Sequence, residues 1–243
     1  MQPDISIVIP MRNESSYIGD TLASFRAALE KSPFSYEIVV VDGASTDDSL
    51  DYCGLADKVI IEREEERSSI ARARNVGANN SAGHLLFHTD ADVRIPVGED
   101  FFQHLVKIFG DPAVAAATGR IVPYPWDSRL IDRFWHIVGN SVIRRSHKAG
   151  IHFGRGEFQV VRADVFSSLG GYNQKITVGE DWDLFRRAAR EGQICYASDL
   201  FVYHSPRRFA ASGYSGTMLT YGREFFSLLI FRRSYLKEWK VVR

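Results

Sequence analysis

The sequence predicts an α/β fold with a mostly parallel central sheet flanked by helices. Three observations predict it. Nearly continuous apolar strands alternate with helix-period segments through residues 5–90, the pattern of a sheet covered on both faces. Of the 243 residues, 45% are hydrophobic, enough for a large core. Polar clusters recur where the strands stop, and in open α/β sheets ligands bind beyond the carboxyl ends of strands.

Each element has its own signal. Ile5 to Pro10 reads as a buried strand ended by its proline. Glu14 to Lys31 spaces Ile18, Leu22, Phe25 and Leu29 by three and four residues, an amphipathic helix. Glu37 to Asp42 is a second strand, and Ser45-Thr46-Asp47-Asp48 is a helix-start signal. Lys58 to Ile61 is a third strand, Ser69 to Ala82 a helix and His84 to Asp90 a fourth strand. Beyond it the pattern is less regular. Val97 to Phe109 reads as a helix, Val114 to Thr118 as a strand and Leu130 to Ile143 as a helix. His147 to Glu157 reads as a loop, Phe158 to Val161 as a short strand and Arg162 to Leu169 as a short helix. Glu180 to Arg190 is a helix, Cys195-Tyr196 and Phe201 to Tyr203 are two short strands, and Ser212 to Phe231 is helical. No repeat or low-complexity linker divides the chain.

Thirty basic residues balance thirty acidic ones, which disfavours a strongly basic nucleic-acid module. The balance is uneven. Residues 207–243 hold eight basic and two acidic residues, a net +6, so residues 1–206 carry −6. Cys53 and Cys195 form no metal or disulfide pattern, which points to a reducing compartment. No signal peptide is read at the start, and Phe225 to Phe231 is too short to span a bilayer. The expected location is cytoplasmic, with the basic, aromatic tail offering contact to the inner face of an anionic membrane. Plain packing of a terminal helix explains the tail's apolar residues equally well.

Asp90-Ala91-Asp92 follows a buried strand. Continued strand geometry would put both carboxylates on one face, and such hard oxygen ligands suit Mg²⁺ or Mn²⁺ held together with phosphate. A solvated turn is the ordinary alternative. Asp42 can accept from a base or a ribose, or simply cap the Asp-Gly turn it begins. No G-x-G-x-x-G and no G-x-x-x-x-G-K-[ST] occurs, so the usual dinucleotide and P-loop phosphate cradles are missing. Glu180 and Asp181 open a helix, either as a general base or as acids favoured by the helix dipole. His204 can complete a carboxylate metal site or serve structure alone. Arg207 and Arg208 can pair with phosphate or lie solvated.

Five motifs then occur in order: Val8-Ile9-Pro10-Met11-Arg12-Asn13-Glu14, Val39 to Asp47, Ala73-Arg74-Asn75-Val76-Gly77, Thr89 to Asp92, and Gly170-Gly171-Tyr172 with Glu180 to Leu184. Together they resemble family-2 glycosyltransferases, inverting enzymes of the GT-A fold, across residues 5–204. The resemblance implies a glycosyltransferase domain over 1–211, with a nucleotide-binding half at 1–95 and a smaller acceptor-side and catalytic half at 96–211. The helical tail, 212–243, would pack on it.

The resemblance also implies roles. Pro10, Arg12 and Glu14 lie in the first loop, which lines the nucleoside pocket. Asp42 contacts the base, commonly uracil, and Arg74 and Asn75 lie beside the nucleotide. Asp90 sits nearer the ribose and sugar, and Asp92 binds the metal, Mn²⁺ or Mg²⁺, with His204. Asp181, paired with Glu180, is the catalytic base. The expected activity is non-processive transfer of one sugar from a nucleotide-diphosphate sugar, UDP-linked by preference, to an acceptor hydroxyl. The Q-x-x-R-W motif of processive synthases is absent. A nucleotide-sugar binding module without catalysis and a nucleotidyltransferase are the alternatives. The loop Gly150 to Glu157 matches no family feature and is a candidate acceptor contact.

Overall fold

The structure is a computed structural model that describes residues 2–63, 69–96, 100–231, 234 and 236. Eight strands form one sheet: β1 Ile5–Met11, β2 Tyr36–Asp42, β3 Lys58–Ile61, β4 Leu85–His88, β5 Val93–Arg94, β6 Val114–Pro123, β7 Gln159–Arg162 and β8 Gln193–His204. Their order across the sheet is β3-β2-β1-β4-β7-β6-β8-β5. Strands β1 to β4 are mutually parallel, β7 is antiparallel to β4 and β6, β8 is parallel to β6, and β5 is antiparallel to β8. The helices are α1 Ile18–Leu29, α2 Ile70–Asn79, α3 Phe101–Phe109, α4 Leu130–Lys148, α5 Ala163–Ser168, α6 Glu180–Ala188, α7 Arg207–Ser212 and α8 Tyr214–Phe231.

The core lies on both faces of the sheet. On one face Ile18, Leu22, Phe25 and Leu29 of α1 are fully buried against Ile5, Ile7 and Ile9. There Phe25, Phe87, Phe101, Phe102 and Phe158 form a ring cluster with tilted and edge contacts, a geometry that aromatic quadrupoles favour. On the other face Leu86 and Val161 meet Phe166, Tyr172, Leu184 and Phe185.

Several boundaries differ from expectation for local reasons. β1 runs through Pro10 to Met11. Val8 O accepts from Thr89 N, so residue 8 faces β4, and Pro10 faces the same way beyond the last β4 residue, His88. Its missing N–H therefore costs no ladder bond. α1 starts at Ile18, because Asn13 is left-handed at φ 57° and Glu14 N donates to Ser49 Oγ at 2.7 Å. The helix signal at Ser45 to Asp48 becomes a short 3-10 turn, Asp48–Tyr52, capped by Asp47. β6 is ten residues long, and the two expected late strands are one, β8. A register shift opposite Gly119 and Arg120 absorbs residues 198–200. α4 continues to Lys148, into the segment expected to be loop. Residues 97–99 of the expected third helix lie outside the described residues, as does most of the basic cluster of the tail. Among the described residues, no helix is long and apolar enough to cross a membrane.

Candidate active site

The rim at the carboxyl ends of β1, β2 and β4 collects the predicted polar clusters. β4 stops at His88, and Ala91 and Asp92 form a turn, so the D-x-D pair is not an extended strand. The turn is fixed from the far side of the sheet. β5 pairs Val93 with His204, Ser205 N donates to Asp92 O at 3.2 Å, and the Tyr124 hydroxyl donates to the same carbonyl at 2.7 Å. His204 Nε2 thereby lies 3.4 Å from Asp92 Oδ1. One ligand atom from each of Asp90, Asp92 and His204 falls within 4.8 Å of the others. Two carboxylate oxygens and an imidazole nitrogen form a donor set that fits a divalent cation.

Around this trio the charges interlock. Arg207 Nε lies 2.9 Å from Asp92 Oδ2, its Nη2 lies 2.7 Å from Glu14 Oε1, and its guanidinium sits over the Tyr17 ring. Arg74, with no exposed surface, bridges Asp90 at 2.8 Å and Glu180 at 2.6 Å. Glu157 Oε1 lies 3.7 Å from His204 Nδ1. Burial opposes charge on Asp92, but the His204 and Arg207 cations outweigh it and hold the carboxyl down at about 2. Burial likewise opposes charge on His204, which Asp92, Glu157 and Asp90 raise to about 9. Asp90 is 27% exposed but lies in the crevice, where desolvation raises it against the pull of Arg74. Desolvation and the neighbouring Glu180 charge push Asp181 well above the usual carboxylate range.

α6 delivers the Glu180-Asp181 pair. Its cap, Gly179, has φ 85°, a left-handed turn that side chains disfavour. Glu180 is buried and bonded to Arg74, whereas Asp181 accepts only from the backbone N–H of Trp182 at 2.8 Å among the described contacts. The loop before β7 walls the site. Gly156 O accepts from Arg74 Nη2, and a Cβ on Gly156 would lie 2.9 Å from that nitrogen, so the loop approaches this closely only with glycine there.

Not every predicted residue meets this cluster. Asp42 is buried, and its carboxylate accepts from Ser45 N at 3.0 Å and from the Ser45 hydroxyl, the turn-capping alternative. Arg12 is exposed and forms no ion pair among the described residues. Asn75 bonds both to Tyr172 O and from Tyr172 N, which clamps the Gly170-Gly171 turn. Arg74 lies beneath the rim and reaches it through Asp90. Pro10 is strand backbone. The solvated alternative for Arg207 fails, since the side chain is mostly buried between two carboxylates. Sequence reasoning missed Glu157, whose signal is a carboxylate behind two glycines just before a strand, and Tyr124, read only as part of a break.

A four-strand parallel unit ending on carboxylates, extended by a mixed set of strands in which β8, parallel to β6, ends on a histidine, is the GT-A glycosyltransferase fold. The mannosyltransferase PcManGT from Pyrobaculum calidifontis, solved with GDP-Man and Mn2+, matches at TM-score 0.64 and 24% identity, over 84% of this chain and 57% of that one. S. aureus TarS 1-349 in complex with UDP-GlcNAc matches at TM-score 0.61 and 18% identity, over 97% of this chain and 68% of that one. Residues 6–170 match glycosyl transferase family 2, and the chain belongs to that family. The succinoglycan biosynthesis protein ExoU of Rhizobium meliloti is 30% identical over 205 residues, which cover 78% of this chain and 58% of ExoU. The O-antigen chain rhamnosyltransferase RfbN of Salmonella typhimurium is 24% identical over 83% of this chain and 66% of RfbN. The chain thus spans little more than half the length of ExoU.

Proposed function

We propose that this chain binds a nucleotide-diphosphate sugar, UDP-linked by preference, and transfers one sugar with inversion to an acceptor hydroxyl. The observation that carries the reading is the convergence of Asp90, Asp92 and His204, joined through Arg74 to Glu180 and so to the neighbouring Asp181, which has no ion-pair partner among the described residues. Asp92 and His204, with Asp90, would hold the cation, Mn²⁺ or Mg²⁺. When bound, it supplies positive charge to the leaving diphosphate. Asp181 takes the acceptor proton as the acceptor oxygen bonds to the anomeric carbon. The bond from that carbon to the diphosphate oxygen breaks on the opposite face. A carboxyl raised toward neutrality suits a general base. Glu180, neutralised by Arg74, holds the helix start in place rather than taking a proton. Asp42 and the first loop, with Glu14, form the nucleoside side.

The solved structures of similar fold support a nucleotide-sugar donor, since one holds GDP-Man and another UDP-GlcNAc. The free thiols Cys53 and Cys195 support a reducing, cytoplasmic setting. A thermal-shift panel of UDP, GDP and their sugars, with and without Mn²⁺, tests the reading. A rise in Tm with UDP-sugars that needs Mn²⁺ and is lost in Asp92→Ala is expected. A flat response across the panel overturns it.

A further inference from the structure

α4 is built inside out. Along its inner face Asp132, His136 and His147 are buried, and Asn140 bonds both ways to the Ile121 backbone of β6. Each buried polar group has a partner. The Tyr214 hydroxyl donates to Asp132, His136 Nδ1 lies 2.8 Å from Asp132 O, and His147 Nε2 lies 3.0 Å from Phe153 O. The helix is therefore anchored by polar contacts, and its apolar residues are left over. Leu130, Phe134 and Ile137, spaced by four and three residues, are 83%, 55% and 65% exposed. Ile131 and Val142 beside them are also exposed. Scattered exposed apolar residues are ordinary, but a contiguous row on one helix marks an interaction surface. Trp126 before the helix and Ile151 after it are exposed as well.

The charge on this element identifies what covers it. Arg133, Arg144, Arg145 and Lys148 are exposed along the same helix, and its one acidic residue, Asp132, faces inward. A second copy seated on this face would set these cations together with no acid of α4 to offset them. An anionic bilayer supplies the missing charge and accepts the apolar row into its headgroup boundary. An apolar stripe of Leu, Phe and Ile bordered by Lys and Arg is the make-up of an interfacial helix. We propose that α4 docks this chain on an anionic lipid surface through Leu130, Phe134 and Ile137, with Arg144, Arg145 and Lys148 against the headgroups. The helix packs on β6 and on α7 and α8, so docking sets the orientation of the sheet rim carrying Asp92 and His204 toward the membrane.

Co-sedimentation of the chain with vesicles of phosphatidylcholine and phosphatidylglycerol, at about three to one, tests this. Binding is expected at about 0.05 M salt, weakened at about 0.5 M as screening grows, and absent with pure phosphatidylcholine. Phe134→Glu with Ile137→Glu is expected to weaken binding at least about tenfold, as is Arg144→Glu with Arg145→Glu. These positions are exposed, so Tm should hold. If a variant loses its fold, amide-exchange protection of residues 130–142 on adding vesicles to the unaltered chain decides instead. No sedimentation with anionic vesicles at low salt overturns the proposal. So does binding that survives both double substitutions, which places the contact elsewhere, or a lipid-free dimer that Phe134→Glu with Ile137→Glu disperses.

Discussion

In strands β1, β2 and β4 burial is nearly continuous and the site carboxylates appear where the strands stop, while β3 is an exposed edge. β1, β4 and nearly all of β2 are buried, and Asp42, Asp90 and Asp92 sit at or just past the strand ends. In strands β5 to β8 the pattern is mixed: β6 and β7 are mostly buried, but the strands that reach the rim are not. β5 is two residues long, and β8 is largely half-exposed with a register break. This part nevertheless contributes His204, Tyr124 and Glu157 directly to the rim. The parallel part is held by hydrophobic burial and carries its acids as an end product. In the returning part β6 and β7 are buried as well, but β5 and the end of β8 are held by pairing with each other, so there the geometry and the rim are the same contacts. Arg74 joins the two, through Asp90 on one side and Glu180 on the other.

The largest expected effect comes from cutting that joint. Arg74→Met leaves Asp90 and Glu180 facing each other without their cation, and breaking a buried pair on one side costs about 3–5 kcal/mol. Chemical denaturation should show that loss together with lost transfer. A stable Arg74→Met protein would mean that the two parts hold together without the bridge. Asp181→Asn should leave stability and donor binding near normal while turnover falls about 10²–10⁴-fold, the usual contribution of a positioned base. Near-normal turnover would remove Asp181 from the chemistry and leave the returning part a positioning role only.

How far the sequence reveals each part follows from the same division. Ile5 to Asp42 and the Asp90-Asp92 pair are legible because a strand buried on both faces must be apolar throughout, and its end must then turn polar. β5 is not legible, since Val93 and Arg94 become a strand only by pairing with Tyr203 and His204. The role of Arg207 is hidden for the same reason, because its partners Glu14 and Asp92 lie far away in sequence. α4 shows a further limit. Its apolar spacing reveals a helix, as in α1, but spacing alone does not show which face the fold covers. In α1 the apolar row is buried, and in α4 the fold buries Asp132 and His136 instead.

That inversion gives the next prediction. Burial of His136 lowers its imidazole to about 4. The folded protein therefore holds it neutral where the unfolded chain, near 6.5, takes up a proton. Stability from this group is present in full above about 6.5 and is lost as pH falls through about 4, roughly 3 kcal/mol in all. His136→Gln should flatten the wild-type decline between these limits in a denaturation series. A parallel decline in both proteins would place the acid sensitivity outside α4.

The smallest effect belongs to the parallel part. Ser69 caps α2, its Oγ accepting from Arg72 N at 3.2 Å. Ser69→Ala removes that acceptor and should cost about 1 kcal/mol. Gly77 of α2 lies so close to Val8 that a Cβ there would sit 2.4 Å from its Cγ1, so tertiary packing, not the cap, fixes where this helix runs. The cap loss should therefore lower Tm by a few degrees while the transfer rate at low temperature stays unchanged. A matching loss of rate would mean that fraying at Ser69 reaches Arg74 one turn along, and that the joint between the two parts depends on the start of α2 as well as on its packing.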